Sequence, residues 1–295
     1  MKIRFAVTPP ASALREDTFS DYLVACEHLG FDTLWLSDIP LGPQGDPLVS
    51  LTYAAGRTTR LKLGANIVPL GRNPLWLAKQ LAQLDRLSNG RLLVSLVPGL
   101  GSAAERAALG HATGDRGAAI DHTIALLRQW WAGDAVTANA ESFRFDTLKI
   151  EPTPLQQPLE IWLGGIGPAA LSRVARLADG WLTATATPRE AADGRAAISR
   201  EALRLGRMID AEHFGISIPF ARIEPPESAL ALLRQRRVDR DLSEIVTVDR
   251  AALQSLVSRH IDGGLSKFVL RSLGAGLAWR EELEWLADTV LALQT

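Results

Sequence analysis

LKLGANIVPLGRNPLWLAKQLAQLDRLSNGRLLVSLV, residues 61–97, contains one complete unit of a repeating architecture. Residues 61–68 are short, apolar and rich in leucine and β-branched side chains, the composition of a strand buried on both faces. Asn73 followed by Pro74 starts a helix: the asparagine side chain accepts from free N–H groups, and proline's fixed φ suits the first helical position. The helix ends near Leu87. Asn89-Gly90 makes a turn, and residues 91–97 repeat the strand composition.

The same alternation extends in both directions. Residues 3–8 read as a first strand and 17–29 as a helix burying Phe19, Leu23 and Cys26, with Gly30 placed to end it. Residues 33–37 form a second strand, and Asp46-Pro47 opens a helix reaching about residue 59. After residue 97 come a long helix at 116–131, an extended stretch at 143–150, and strands at 160–163, 181–184, 214–219 and 267–271. The helices between and after them fall at 168–178, 188–205, 227–236, 249–261 and 279–293. Eight βα units in 295 residues is about 37 residues each, close to what a (β/α)8 barrel needs. The expectation is therefore an α/β fold: a single (β/α)8 TIM barrel domain over residues 1–295, with an insertion around residues 132–158. A doubly wound open sheet also alternates βα, but its G-x-G-x-x-G fingerprint is absent; the first strand ends in Thr8-Pro9-Pro10.

Composition narrows the function. A chain 47% hydrophobic and 22% charged builds a large core, and a net charge of −1 offers no basic face for nucleic acid. Cys26 is the sole cysteine, so no intrachain disulfide or cysteine-rich metal site is expected. His28, His111, His122, His213 and His260 lack metal-ligand spacing, so no metal is expected either. No apolar run reaches the roughly 20 residues that cross a bilayer, and no signal-like segment opens the chain, so a cytoplasmic protein without a membrane partner is expected. G-x-S-x-G and Walker A sequences are absent, which removes support for covalent hydrolysis and phosphoryl transfer. What remains is chemistry carried by a bound organic cofactor acting on a small molecule.

In such a barrel the site lies at the C-terminal ends of the strands. Asp38, at the end of strand two, is a candidate proton acceptor or hydrogen-bond partner, or else a turn residue before Ile39-Pro40. Gly164-Gly165-Ile166-Gly167-Pro168 passes from strand to helix. Its glycines permit close backbone approach, and the helix N-terminus offers N–H groups and a positive dipole end to an anion. The competing reading is a tight turn that requires glycine. Thr183 and Thr185 could add hydroxyl donors. Arg271 ends an apolar strand and needs an anionic partner, either a ligand or an internal group such as Asp38.

Residues 29–38, LGFDTLWLSD, resemble the second-strand motif of luciferase-like monooxygenases, the group that includes bacterial luciferase and the coenzyme F420-dependent reductases. LGANIVPL at 63–70 with Asn73-Pro74, AKQ at 78–80 with LDRLSNGR at 84–91, IWLGG at 161–165 and ARLADGW at 175–181 agree with it. The resemblance covers essentially the whole chain and is nearer the F420 branch. It implies a barrel holding F420, or alternatively FMN, and a homodimer formed through helices beside strands two and three. The implied cofactor contacts are Asp38, Ala65, Asn66, Ile67, Gly164, Gly165, Ile166, Thr183, Ala184 and Thr185, with Asp38 also the catalytic candidate. A non-proline cis peptide common in the family would fall at Asn66–Ile67. Thr8, Ile39, Leu100, Phe220 and Arg271 would line the substrate side. A family threonine that binds phosphate is Ala184 here, and the histidine that serves alcohol-oxidising members is Ile39. Isoleucine takes no proton, so reduction of an activated double bond is favoured over alcohol oxidation. The alternatives are an FMN-dependent monooxygenase served by a separate flavin reductase, and a non-catalytic flavin- or deazaflavin-binding barrel.

Overall fold

The computed structural model describes all residues except 16, 111–114, 141–142 and 275–277, and the backbone alone of Arg236. His111 lies outside the described residues. The chain runs β1 (Arg4–Thr8), α1 (Phe19–Leu29), β2 (Thr33–Ser37), α2 (Pro47–Arg57), β3 (Lys62–Ile67), α3 (Pro74–Leu87), β4 (Leu92–Leu96), α4 (Ala103–Ala108) and α5 (Arg116–Trp131). It continues with β5 (Val136–Ala140), β6 (Phe143–Leu148), β7 (Ile161–Leu163), α6 (Pro168–Leu177), β8 (Gly180–Ala184), α7 (Pro188–Arg204), β9 (Phe214–Ala221) and α8 (Glu227–Arg236). The last elements are β10 (Thr247–Val248), α9 (Arg250–Asp262), β11 (Lys267–Ser272) and α10 (Trp279–Val290).

The hydrogen-bonded strand order is β10-β9-β11-β1-β2-β3-β4-β7-β8, and β8 also pairs with β9. The eight principal strands therefore close in chain order, first on last, which is the (β/α)8 topology. Arg4 to Thr8 stand in parallel register with Lys267 to Arg271. The helix starts form as their residues dictate. Asp46 accepts from the Leu48 and Val49 N–H groups at 2.8 and 3.1 Å, Asn73 accepts from Leu75 N–H at 3.0 Å, and Gly30 ends α1 at φ 95°.

By contact density the chain divides into two compact units, Met1–Trp35 with Leu163–Thr295, and Leu36–Trp162. In the first, Phe5 stacks on Phe268 at 5.5 Å, and Trp181 meets Phe214 edge-on at 6.4 Å. In the second, the DRLSNGR segment is structural. Arg91 donates to Ala55 O, Thr58 O, Thr58 Oγ1, Leu61 O and Ser88 O at 2.6–3.0 Å. Asp85, fully buried, accepts from Leu155 N–H, Gln156 N–H and Gln156 Nε2 at 2.6–2.8 Å. Those bonds satisfy a carboxylate that burial would otherwise penalise.

Residues 143–148 are extended as expected and have a partner: β6 pairs antiparallel with β5, from Val136↔Leu148 to Ala140↔Phe143. Aromatic packing explains the pairing, because Phe143 stacks on Phe145 at 4.6 Å and Phe145 meets Trp130 edge-on at 5.1 Å. One expectation changes, at Asn66–Ile67. Among the described residues the cis peptide bonds are those before Pro152 and Pro158, so Asn66–Ile67 is trans. The β3–β4 ladder runs regularly through Ile67↔Leu96, with the Asn66 carbonyl accepting from Asp38 N–H and the Ile67 carbonyl from Val97 N–H.

Candidate functional site

In the unit spanning residues 36–162, Asp38 sits at the C-terminal end of β2 with its side chain 7% exposed. Its Oδ2 accepts from Val68 N–H at 3.1 Å and from Arg72 Nη2 at 2.9 Å. The same guanidinium nitrogen reaches Asp46 Oδ2 at 3.0 Å. One arginine thus ties the β2–α2 loop to the β3–α3 loop. Burial works against the Arg72 cation, but the two carboxylates outweigh it and raise its pKa further. Burial likewise works against the Asp46 carboxylate, but Arg72 and the capped N–H groups outweigh it and hold Asp46 below its usual range. The cation paired with Asp38 is Arg72. Oδ2 is thus engaged by two donors, and Oδ1 is the oxygen left for a ligand.

Beside it, Asn66 Nδ2 donates to Ser37 Oγ at 3.2 Å. Ser95 stands next to Asn66 in the β3–β4 register, fully buried, and its hydroxyl has no hydrogen-bond partner among the described residues. Ser37, Asn66 and Ser95 make a polar row at the ends of three adjacent strands. Ala65 and Ile67, at 1% and 0% exposure, alternate with Asn66 and point to the other sheet face. They belong to the core and offer a ligand no side chain. Ile39 is half-buried and Leu100 is 51% exposed. Glu105 is buried and accepts from Gly101 N–H at 3.2 Å, a structural role.

In the other unit, the β7–α6 loop carries the glycines. A Cβ on Gly164 would come within 2.8 Å of the Leu182 carbonyl oxygen. Gly165 adopts φ +97°, and a Cβ there would come within 2.7 Å of the Ala170 Cβ. Both glycines are thus required locally, which the turn reading anticipated. The helix they lead into also fits the anion reading. Gly167 is the N-cap of α6, contributes no side chain, and the first helical residue is Pro168, so the N–H groups beyond it have no side-chain acceptor. Ile166 is half-buried beside this N-terminus.

The β8–α7 loop is different. Thr187 Oγ1 accepts from Glu190 N–H at 3.2 Å, and Glu190 Oε2 accepts from Thr187 N–H at 2.9 Å, a complete capping box. The N-terminus of α7 is already served by its own carboxylate. Burial pushes Glu190 up, but the Thr187 N–H and the guanidinium groups of Arg237 and Arg240 outweigh it and hold Glu190 below the usual range. Arg237, with its side chain 6% exposed, also donates to the Thr185 carbonyl and pins that loop. Thr185 has φ 52° and donates its hydroxyl to its neighbour Ala184 O at 2.7 Å. Ala184 is exposed. Thr183 is buried, and its Oγ1 has no partner among the described residues. It lies two residues from Trp181, whose ring packs against Gly194 of α7. Alternation therefore turns Thr183 to the helix side of β8, away from the face Ala184 occupies.

Phe220 lines, with Thr8, a cavity of about 10 Å³. It is 1% exposed and stacks on Trp285 of α10 at 5.9 Å and 13°. Its bulk fills the layer between sheet and helix, where an apolar ring gains most from burial. Thr8 and Arg271 are register partners across β1 and β11, both half-buried. Arg72, Ser95, Glu190 and Arg237 escaped the sequence reading. The only hint of Arg72 was that a strand-end carboxylate requires a cation. Among the described residues no group of three His, Cys, Asp or Glu side chains could hold a metal, and no helix is long and apolar enough to cross a membrane.

Several known proteins are similar to this chain. One relative, an F420-dependent glucose-6-phosphate dehydrogenase of Nakamurella multipartita, is 30% identical over 193 residues, 61% of this chain and 56% of that protein. Another, an FMNH(2)-dependent dimethylsulfone monooxygenase of Pseudomonas fluorescens, is 36% identical over 128 residues, 43% of this chain and 35% of that protein. The chain thus matches about half, or less, of these relatives' length. The solved structure of a coenzyme F420 dependent tetrahydromethanopterin reductase from Methanopyrus kandleri aligns over 100% of both chains, with a TM-score of 0.77 and 18% identity, which shows a shared fold. The profile described as luciferase-like monooxygenase matches residues 3–273, and the chain belongs to that family.

Proposed function

We propose that this protein is an F420-dependent oxidoreductase acting on a small organic substrate, with residues 1–295 folding as one domain. The observation that carries the reading is the uncapped N-terminus of α6 behind Gly164 and Gly165, set against the occupied N-terminus of α7. An anionic cofactor group fits the first and is repelled by Glu190 at the second. F420-dependent enzymes among the relatives of the chain favour the deazaflavin. The residues that would hold the cofactor are Gly164, Gly165 and Ile166 through their backbone, and Asn66 and Asp38 through their side chains. Ala184 and Thr185 would add backbone groups. The cofactor, when bound, supplies hydride transfer to or from the substrate; the chain binds, orients and excludes water. Asp38 would accept a hydrogen bond at Oδ1, and Thr8, Ile39, Leu100 and Arg271 would meet the substrate.

The test is titration of the cofactor-free protein with F420 and with FMN, read by fluorescence quenching and absorbance. Binding of F420 at least about tenfold tighter than FMN supports the reading. Tight binding of FMN alone would replace it with the second reading, a monooxygenase using reduced flavin from a separate reductase, which the dimethylsulfone monooxygenase relative favours. Binding of either cofactor without substrate-dependent consumption would leave the non-catalytic barrel. A homodimer is part of the proposal. Val49 and Tyr53 on α2 and Trp76 on α3 are 72%, 48% and 62% exposed, an apolar surface suited to a second copy. The cytoplasm is the proposed compartment.

A further inference from the structure

The segment between β9 and α9 packs partly on a small core of its own, Ala221, Leu233, Ile245, Val246 and Leu273. Beside this core opens a groove of about 680 Å³, within the size range of small-molecule sites. Its residues come from α8, the turn at Leu242–Glu244, β10 and α9. None of them belongs to the proposed cofactor site.

The groove is two-faced. Leu230, Leu242 and Val246 supply apolar surface, and Arg234, Arg240 and Arg259 bring three guanidinium groups against two lining carboxylates. Arg234 is paired with Glu227, and Arg240 with Glu190 at 3.0 Å. Arg259 makes no ion pair among the described residues. The carboxylates are Glu224 and Asp241, and Asp241 is engaged as a cap, accepting from Ser243 N–H at 2.9 Å. Thr247 adds a hydroxyl to this wall. It lines the groove at 4% exposure, and its Oγ1 has no hydrogen-bond partner among the described residues. Buried hydroxyls are almost always satisfied, and this orphan belongs to a residue that lines the groove.

We propose that this groove binds an amphiphilic organic anion. The apolar body lies on Leu230, Leu242 and Val246, and the acidic head is held by the Arg259 guanidinium and the Thr247 hydroxyl. A small inorganic anion would leave the apolar wall unused, and a cation would face the Arg259 guanidinium.

Decanoate is a suitable probe. Isothermal titration of the purified chain, with no cofactor added, should show saturable binding near one per chain. Arg259→Ala should weaken it about tenfold or more and Thr247→Val several-fold, with thermal melts confirming folded variants. Should Arg259→Ala not fold, Arg259→Lys should bind better than Arg259→Gln. Arg189→Ala, 93% exposed and outside the groove, should bind as the parent does. Inorganic phosphate should bind far more weakly than decanoate. The proposal is overturned by the absence of saturable decanoate binding up to about 1 mM. It is also overturned by indifference to Arg259, or by phosphate binding as tightly. The readout needs neither F420 nor FMN, so its failure is separate from failure of the proposed function.

Discussion

Replacing Arg72 with methionine keeps much of the side-chain volume and removes the cation shared by Asp38 and Asp46. Removing one partner of a buried ion pair costs about 3–5 kcal/mol, because the other charge is stranded. Asp38 is only 7% exposed, but Arg72 is 26% exposed, so water can partly replace the guanidinium. Discounting for that access leaves about 2 kcal/mol. The contact to Asp46, at 38% exposure, adds little. A double-mutant cycle isolates the charge. Asp38→Asn retains an oxygen that can accept from Val68 N–H but has no charge to strand, so Arg72→Met should cost at least about 1 kcal/mol less in that background. The assay is urea unfolding at pH 7, followed by tryptophan fluorescence, with the transition midpoints compared at constant slope. Equal costs of Arg72→Met in the two backgrounds would refute the clamp.

Three further substitutions probe other links. Gly165→Ala must place an L residue at φ +97° with its Cβ 2.7 Å from that of Ala170, and should lower stability by about 1–2 kcal/mol in thermal melts. Arg91→Lys cannot reproduce five donor contacts to four residues of a buried turn region; a loss of about 2–4 kcal/mol is expected by urea unfolding. His260, fully buried with both ring nitrogens unpartnered among the described residues, is pushed down from 6.5 to about 4 by burial and by nearby Arg259. The folded pKa is the lower one, so the unfolded chain takes up this proton first. Stability from the neutral imidazole is present above pH 6.5 and drains as pH falls towards 4, approaching about 3 kcal/mol at most. His260→Leu should flatten that part of the stability–pH curve; an unchanged slope would show that His260 does not contribute to it.

The barrel was legible because its determinants are local. Asn73-Pro74, Asp46-Pro47 and Gly30 each specify a helix end through their own backbone or nearest N–H groups, and the structure places all three as read. The pairing of residues 143–148 was harder, since an antiparallel partner depends on Phe143, Phe145 and Trp130 meeting in space. The site was legible only in position. Gly164 and Gly165 announce a loop, but nothing in LGGIGP says that α6 lacks a cap while α7 carries Glu190. That difference arises from a side chain five residues beyond Thr185. Likewise Asp38 is visible as a strand-end carboxylate, whereas its partner lies 34 residues away in a loop with no motif of its own. Charge pairing is a property of the folded chain, and spacing along the sequence does not encode it.

The position after Asp38 then decides which direction of chemistry the proposed site supports. Oxidising an alcohol requires a group that receives the hydroxyl proton as the hydride leaves. Ile39 has no such group, and Asp38 Oδ2 is already shared between Val68 N–H and Arg72. An alcohol at this site would have Asp38 Oδ1 or water alone to take its proton, whereas a substrate being reduced can draw a proton from water without a dedicated acid. Ile39→His tests that argument directly. Ile39 is half-buried and comparable in bulk to an imidazole, so the replacement fits without opening the core. With F420 bound, the parent protein should not bleach the cofactor absorbance in the presence of a secondary alcohol, and the histidine variant should, with a rate that rises as pH passes about 6.5. Bleaching by the parent at a comparable rate would mean that a proton acceptor other than residue 39 serves the site, and the case for reduction would fail.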